Sequence, residues 1–501
     1  MQKTLFVGAV LASAITVSAV EPNAETRRWW GHVQALAGDE MRGRDTGSPE
    51  HRKAQEYVVA HLQRQGLTPA GEDGWYQPIA FKRMRLQPQQ SRAVLTRGGR
   101  QQPLRWLQHI VVAPATGLAP SVSGELVFAG SDNGASLDTA GKIVVRLNPV
   151  RLVEGPPQPA PPANAAAVIG IDSEAGPEPS RWPVQYSVSL VRADADFPAA
   201  RGPMNLRFNP AEADTLLEGT GYTYKQLVDL ASAGRPVPSF PLNAALELAP
   251  VFETASLSSD NVLGVLPGSD PALQREHVVV IAHVDGYGIG EPWGNDNIYN
   301  GAFDNAAYVA TLLDFAEHLR ERNTRLRRSL LFAVVTGEEK GLHGSRYFTQ
   351  HPTVPREQLV AAINLDQLRP IFPLQTLTMH AIDESTLGDT ARAVAGPMNI
   401  RLQADPEPLR NLLRRTDHWP FMQIGVPATS FIFGYEPGTP DEVEYRRWYR
   451  EQYHTPLDDL DQPWVPEAAA RFNQFFERLV IAVANADERA QWKPGSEFAP
   501  R

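Results

Sequence analysis

Residues 278–285 read VVVIAHVD, residues 330–339 read LLFAVVTGEE, and residues 360–366 read VAAINLD. Each is an apolar run that ends in a histidine or an acid. A strand with one wet face alternates in polarity, whereas an unbroken apolar run of this length suits a strand buried on both faces. Between the first two runs, Ala306, Val309, Leu313 and Ala316 fall at helical spacing over residues 306–319. Strand, helix and strand in this order predict an α/β fold: a mixed sheet flanked by helices. Ligands of such sheets bind outside the carboxyl ends of the strands. The same edge therefore receives His283, Glu338, Glu339 and Asp366.

Working outward, Asp285 stands two residues beyond His283, where a carboxylate can take the second N–H of a ligating imidazole. Asp304, in GAFDNAA, precedes the helix and reads either as its N-cap or as a ligand. Glu338 and Glu339 are harder to explain as structure. Adjacent carboxylates at the end of a buried strand repel each other and are costly to desolvate unless cations compensate them. Asp366 repeats the problem on the next strand. His454, in YHTPLDD, reads as a ligand or as part of a turn. Carboxylates and imidazoles gathered this way suit a pair of divalent metals, and a carboxylate left over suits a base. The chain has no cysteine, so its metal ligands are nitrogen and oxygen and it forms no disulfides.

The rest of the chain frames this segment. Residues 50–65 predict a helix with Ala54, Tyr57, Val58 and Leu62 on one face, entered from the polar loop MRGRDTGSPEHR. Short strands are expected within 77–118, including Val94–Leu95 and Ile110–Val112. Between 119 and 250, short apolar runs separated by Gly and Pro predict an inserted small β-rich domain containing the proline-rich run Pro157–Pro162. Residues 20–118 and 251–501 then form the two parts of one catalytic domain. Residues 431–433 predict a further strand, and residues 467–484 a closing helix with Phe472, Phe475, Phe476 and Leu479 inward. Residues 1–19 read as an export signal, with Lys3, an uncharged stretch from Leu5 and a Val17-Ser18-Ala19 cleavage site, so a periplasmic or extracellular location is expected. A net charge of -10 gives no general attraction to nucleic acid or anionic membrane. The basic run Arg322–Arg328 is expected to be a solvated corner.

HVD, GAFDNAA, GEEKGLHGSRYF, NLD, TDHWPFMQIGVPA and YHTPLDD occur in this order, and through them the chain resembles the M28 family of dinuclear zinc aminopeptidases. The resemblance covers about residues 35–118 and 255–485, and the inserted domain resembles the protease-associated domain. The resemblance implies two zinc ions, one held by His283 and Asp366 and the other by Glu339 and His454, with Asp304 bridging. It further implies that Asp285 supports His283, that Glu338 is the general base and that Tyr453 donates to the oxyanion. Tyr453 reads equally as a packed aromatic. His418 is a second candidate for contact with the oxyanion or substrate. The segment Gln367–Pro370 and the charged stretch from Glu436 to Tyr453 depart from the family pattern and are expected to border the substrate.

The function expected is removal of N-terminal residues from peptides, with no nucleic-acid partner, no stable membrane insertion and no partner specified for the inserted domain. Related activities (dipeptidase, carboxypeptidase, glutaminyl-cyclase-like) and a non-catalytic binding protein are the alternatives.

Overall fold

A computed structural model describes residues 22–148, 164–172, 182 and 188–499. The export signal, its cleavage site and the Pro157–Pro162 run lie outside the described residues. The large sheet contains β1 (Tyr76–Leu86), β2 (Val188–Arg192), β3 (Phe252–Leu266), β4 (His277–His283), β5 (Ser329–Val335), β6 (Leu359–Leu365), β7 (Thr376–Met379), β8 (Arg401–Gln403) and β9 (Ala428–Phe433). Their spatial order is β8-β7-β9-β6-β4-β5-β3-β1-β2, and the short pair Thr68–Pro69 joins β3. The four central strands, β9, β6, β4 and β5, are parallel. Every residue of each is buried, which explains their unbroken apolar reading.

Helices cover this sheet. They include α1 (Ala24–Ala37), α2 (Pro49–Arg64), α3 (Ala307–Glu321), α4 (Pro440–Glu451) and α5 (Pro466–Asn485). Ser48 caps α2 by accepting from the His51 backbone, and Pro49 occupies its first turn. α3 is buried along most of its length. Phe472, Phe475 and Phe476 of α5 are fully buried in the same core. Burying each such ring stabilises the fold by about 1.5–3 kcal/mol.

A second sheet of eight strands is built entirely from residues between Arg92 and Ala249. It has its own core, in which Leu126, Phe128, Ile143, Val145, Ile169 and Leu206 meet. The long antiparallel pair β1 and β3 leads into and out of it, with Leu86 opposite Phe252 at the far end. Two details differ from the sequence reading. Strands Arg92–Arg97, Arg100–Pro103 and Ile110–Val112, grouped there with the catalytic part, pair into the smaller sheet. Conversely β2, which lies inside the expected insert, pairs with β1 of the large sheet. The basic run is also not merely solvated. Arg322 pairs with Glu25 and Glu477, Arg327 with Asp270 and Asp487, and buried Arg328 with Glu276.

Candidate metal centre

The carboxyl ends of β4, β5 and β6 deliver their polar residues to one place. His283 is the last residue of β4, and Asp366 directly follows β6. Beyond β5 the chain turns through Thr336-Gly337 to Glu338 and Glu339. Gly337 sits at φ 67°, a left-handed conformation that strains any side chain, and an added Cβ would meet the Cβ of His343 at 3.1 Å.

Asp304 lies between the two halves of the site. One of its oxygens is 3.3 Å from His283 Nε2 and the other 3.2 Å from His454 Nε2. Asp366 reaches His283 Nε2 at 3.5 Å, and Glu339 reaches His454 Nε2 at 3.3 Å. Two triads result, His283–Asp304–Asp366 and Asp304–Glu339–His454, joined through one carboxylate, and His283, Glu338 and Glu339 form a third group between them. Glu338 stands beside them, 4.0 Å from His283 Nε2. Asp304 does not cap α3, whose N-cap is Ala306 with no side-chain hydrogen bond.

The donor set fits divalent cations. His283 Nε2, Asp366 Oδ1 and Glu339 Oε1 are buried and accept or donate no hydrogen bond. Buried polar atoms are almost always satisfied, so unpartnered atoms in both triads mark them as places for a bound group. Nitrogen and carboxylate oxygen are ligands suited to zinc and its neighbours. A further acid–histidine group, Asp314–His318–Glu477, is different in kind. Arg28 contacts Asp314 at 2.7 Å and Arg322 contacts Glu477 at 2.9 Å, making it an ion-pair network.

The electrostatics follow from crowding. Burial disfavours a charged His283, yet Glu338, Asp304 and Asp366 together hold it well above the ordinary imidazole range. Burial likewise opposes ionisation of Asp304, but His283 and His454 pull it below the usual carboxylate range. Burial, reinforced by Asp366, Glu339 and Asp417, pushes Glu338 well above its ordinary value against the pull of His283.

Supporting groups orient these side chains. His283 Nδ1 donates to the Asp285 carbonyl at 3.1 Å, and the Asp285 carboxylate lies 3.7 Å away. That carboxylate accepts from the Thr46 hydroxyl at 3.0 Å and from the Glu338 backbone N–H at 3.1 Å. Asp285 thus ties the ends of β4 and β5 to the MRGRDTG loop. In the same loop Arg44, wholly buried, donates to the carbonyls of Leu36, Val284, Asn300 and Gly301. His454 Nδ1 meets the Tyr287 hydroxyl at 3.2 Å. Asp458 accepts from the backbone N–H of Phe303 at 2.9 Å and of Asp304 at 3.0 Å. Arg44, Thr46, Tyr287 and Asp458 were not among the residues singled out from the sequence.

Tyr453 and His418 are placed less directly. The Tyr453 ring lies against that of His454, with centroids 3.6 Å apart, and continues into Tyr449 at 5.0 Å and Trp448 at 5.5 Å. Burial pushes its phenol well above the ordinary range, with the charges of Asp304 and Glu339 adding. His418 belongs to neither triad. Its Nδ1 bonds with the Thr416 hydroxyl at 2.6 Å and its ring stacks on His380 at 5.6 Å. The two departures from the family pattern meet, because the Tyr449 hydroxyl donates to Gln367 Oε1 at 2.7 Å.

Residues 261–480, which contain every member of both triads, match the model of Peptidase family M28. A 138-residue segment is 30% identical to the aminopeptidase NAALADL1 of Mus musculus, covering 26% of this chain and 16% of that protein. The chain thus spans about a sixth of the length of this relative. Among solved structures, it is similar to an aminopeptidase from Aneurinibacillus sp. strain AM-1, with TM-score 0.59 and 19% identity over 93% of this chain and 95% of the other. It is also similar to BSAP, a zinc aminopeptidase from Bacillus subtilis, with TM-score 0.59 and 16% identity over 93% and 97%. A Peptidase M28 precursor from Shewanella amazonensis SB2B aligns with TM-score 0.55 and 16% identity over 95% and 99%. At these identities the likeness is one of fold.

Proposed function

We propose that the chain is a dinuclear zinc exopeptidase that removes N-terminal residues from peptides. The observation that carries this reading is Asp304, which turns one oxygen to each triad while Glu338 remains outside both. His283 and Asp366 would hold one ion, Glu339 and His454 the other, with Asp304 shared. Ions bound there supply positive charge that acidifies a water and polarises the scissile carbonyl.

The chain's own residues do the rest. Glu338 takes a proton from the attacking water onto a carboxylate oxygen and passes it to the leaving amine. The Asp285 carbonyl accepts from His283 Nδ1 and so leaves that Nε2 free for ligation, and the Tyr287 hydroxyl does the same for His454 when its oxygen accepts from Nδ1. Tyr453, beside His454, is assigned to the oxyanion as donor. Peptides are the substrates in this reading, export is the expected route, and the eight-stranded module is an accessory protease-associated-like domain.

Replacing Glu338 with Gln tests the division of labour. The variant is expected to keep its bound zinc, measured by elemental analysis, while hydrolysis of unblocked peptides falls at least about a hundredfold. Glu339→Gln is expected to lose metal together with activity. Full hydrolysis by Glu338→Gln would remove the base from the mechanism, and equal cleavage of N-acetylated peptides would remove the aminopeptidase assignment.

A further inference from the structure

A cleft of about 520 Å³ opens among α1, α2 and the far end of α3, apart from either triad. Arg28, Arg64 and Arg320 bring three guanidinium groups to its wall, where Glu317 also lies. Arg28 is partly engaged: its Nε meets Asp314 at 2.7 Å, and its Nη1 meets Glu321 at 3.3 Å and Glu317 at 3.5 Å. Its Nη2 is buried and has no partner. Among the described residues, Arg320 bonds to Gln65 through Nε alone, and exposed Arg64 has no hydrogen bond or ion pair.

The floor adds a neutral donor. His32 is 6% exposed, and its Nδ1 meets the Tyr57 hydroxyl at 2.8 Å. Its Nε2 is buried without a partner. Burial, with His61, Arg28 and Arg64 adding, pushes this imidazole down to about 3, so one ring nitrogen carries the proton at neutral pH. When the Tyr57 hydroxyl donates to Nδ1, that proton is on Nε2. Gly31 is a further sign. It sits inside α1, where glycine costs about 0.5–1 kcal/mol relative to alanine, yet a Cβ there would meet nothing within 4 Å. The missing side chain leaves the cleft wall open.

We propose that this cleft is a second binding site, which takes a small organic anion through a carboxylate or phosphoryl group. Arg28 Nη2, His32 Nε2 and the free ends of Arg64 and Arg320 are its donors, and guanidinium pairs such oxygens in a planar fork. The volume exceeds that of a bare inorganic ion and falls within the range of small-molecule sites, about 300–1,000 Å³.

Calorimetric titration of the metal-loaded chain with succinate and, separately, glycerol 3-phosphate distinguishes the two head groups. At least one is expected to bind saturably. The double change Arg64→Ala/Arg320→Ala weakens that binding about tenfold or more, as loss of charge-assisted hydrogen bonds requires. Gly31→Met, which fills the cleft and removes no charge, weakens it as well. The proposal is overturned if neither probe saturates, or if affinity survives either change.

Discussion

Asp458 touches no ligand atom, yet both of its carboxylate oxygens are engaged in holding the backbone from which Asp304 projects. Its own carbonyl accepts from Ala302 N–H, and Gln462 donates to Oδ1 from the other side. The segment that carries His454 therefore also fixes the shared carboxylate. In Asp458→Asn one of the two acceptors becomes an NH2 group facing a backbone N–H. That variant is expected to bind zinc about 10–100-fold more weakly while keeping its far-ultraviolet circular dichroism, as competition with a chelator would measure. Affinity equal to the parent's would show that Asp304 is held without it. This role was not legible in the sequence, where Asp458 and Asp459 look like ordinary turn acids. His283, Glu338, Glu339 and Asp366 were legible because each interrupts apolar sequence at a strand end. Arg44 and Thr46 gave no such contrast, since they sit in a loop that is polar throughout.

At the scale of elements, α4 is the piece that local pattern described least. Tyr445, Trp448 and Tyr449 surround the guanidinium of Arg369, with ring centroids 4.4, 5.3 and 4.4 Å from its central carbon. Arg369 is wholly buried, and among the described residues no carboxylate pairs with it. The aromatic faces stand in for a carboxylate, each such contact stabilising by roughly 0.5–2 kcal/mol. Trp448 also donates to Gln462, so the helix is tied to the Asp458 segment. Lysine keeps the charge at this position but cannot stack as a plane. Arg369→Lys is expected to cost about 2–3 kcal/mol of stability by denaturant unfolding. Hydrogen exchange should speed up first in residues 440–451, and uniform change across the chain would contradict the assignment. The stretch read from sequence as long and charged because its partner, Arg369, lies distant in the chain. The closing helix was legible for the opposite reason: its apolar stripe follows its own 3.6-residue period.

For the molecule as a whole, the α/β core could be anticipated from the buried strands alone, whereas the division between the two sheets could not. Alternation at 92–112 announces strands but not which sheet they pair with, because the partners of Arg92–Arg97 and Ile110–Val112 lie in distant parts of the sequence, at 245–249 and 206–208. Among the described residues no helix is long and apolar enough to cross a membrane. The large core has a consequence for acid stability. Burial lowers His51 in α2 and His380 after β7 to about 4 each, with Arg44 and Lys340 contributing at the first and Arg410 and Arg369 at the second. The unfolded chain takes up these protons near pH 6.5, the folded chain only near pH 4. Stability from each histidine is thus complete above pH 6.5 and is lost as pH falls through that window, by about 3 kcal/mol per site. Asp417 and Asp458, raised by burial to about 7, act in the opposite sense and lose their contribution as pH rises towards 7. The difference between parent and variant isolates one group. His380→Gln and His51→Gln should each lag the parent in unfolding free energy at pH 7.5 and close that gap by about 3 kcal/mol at pH 4. A gap independent of pH would mean that the imidazole titrates alike in both states.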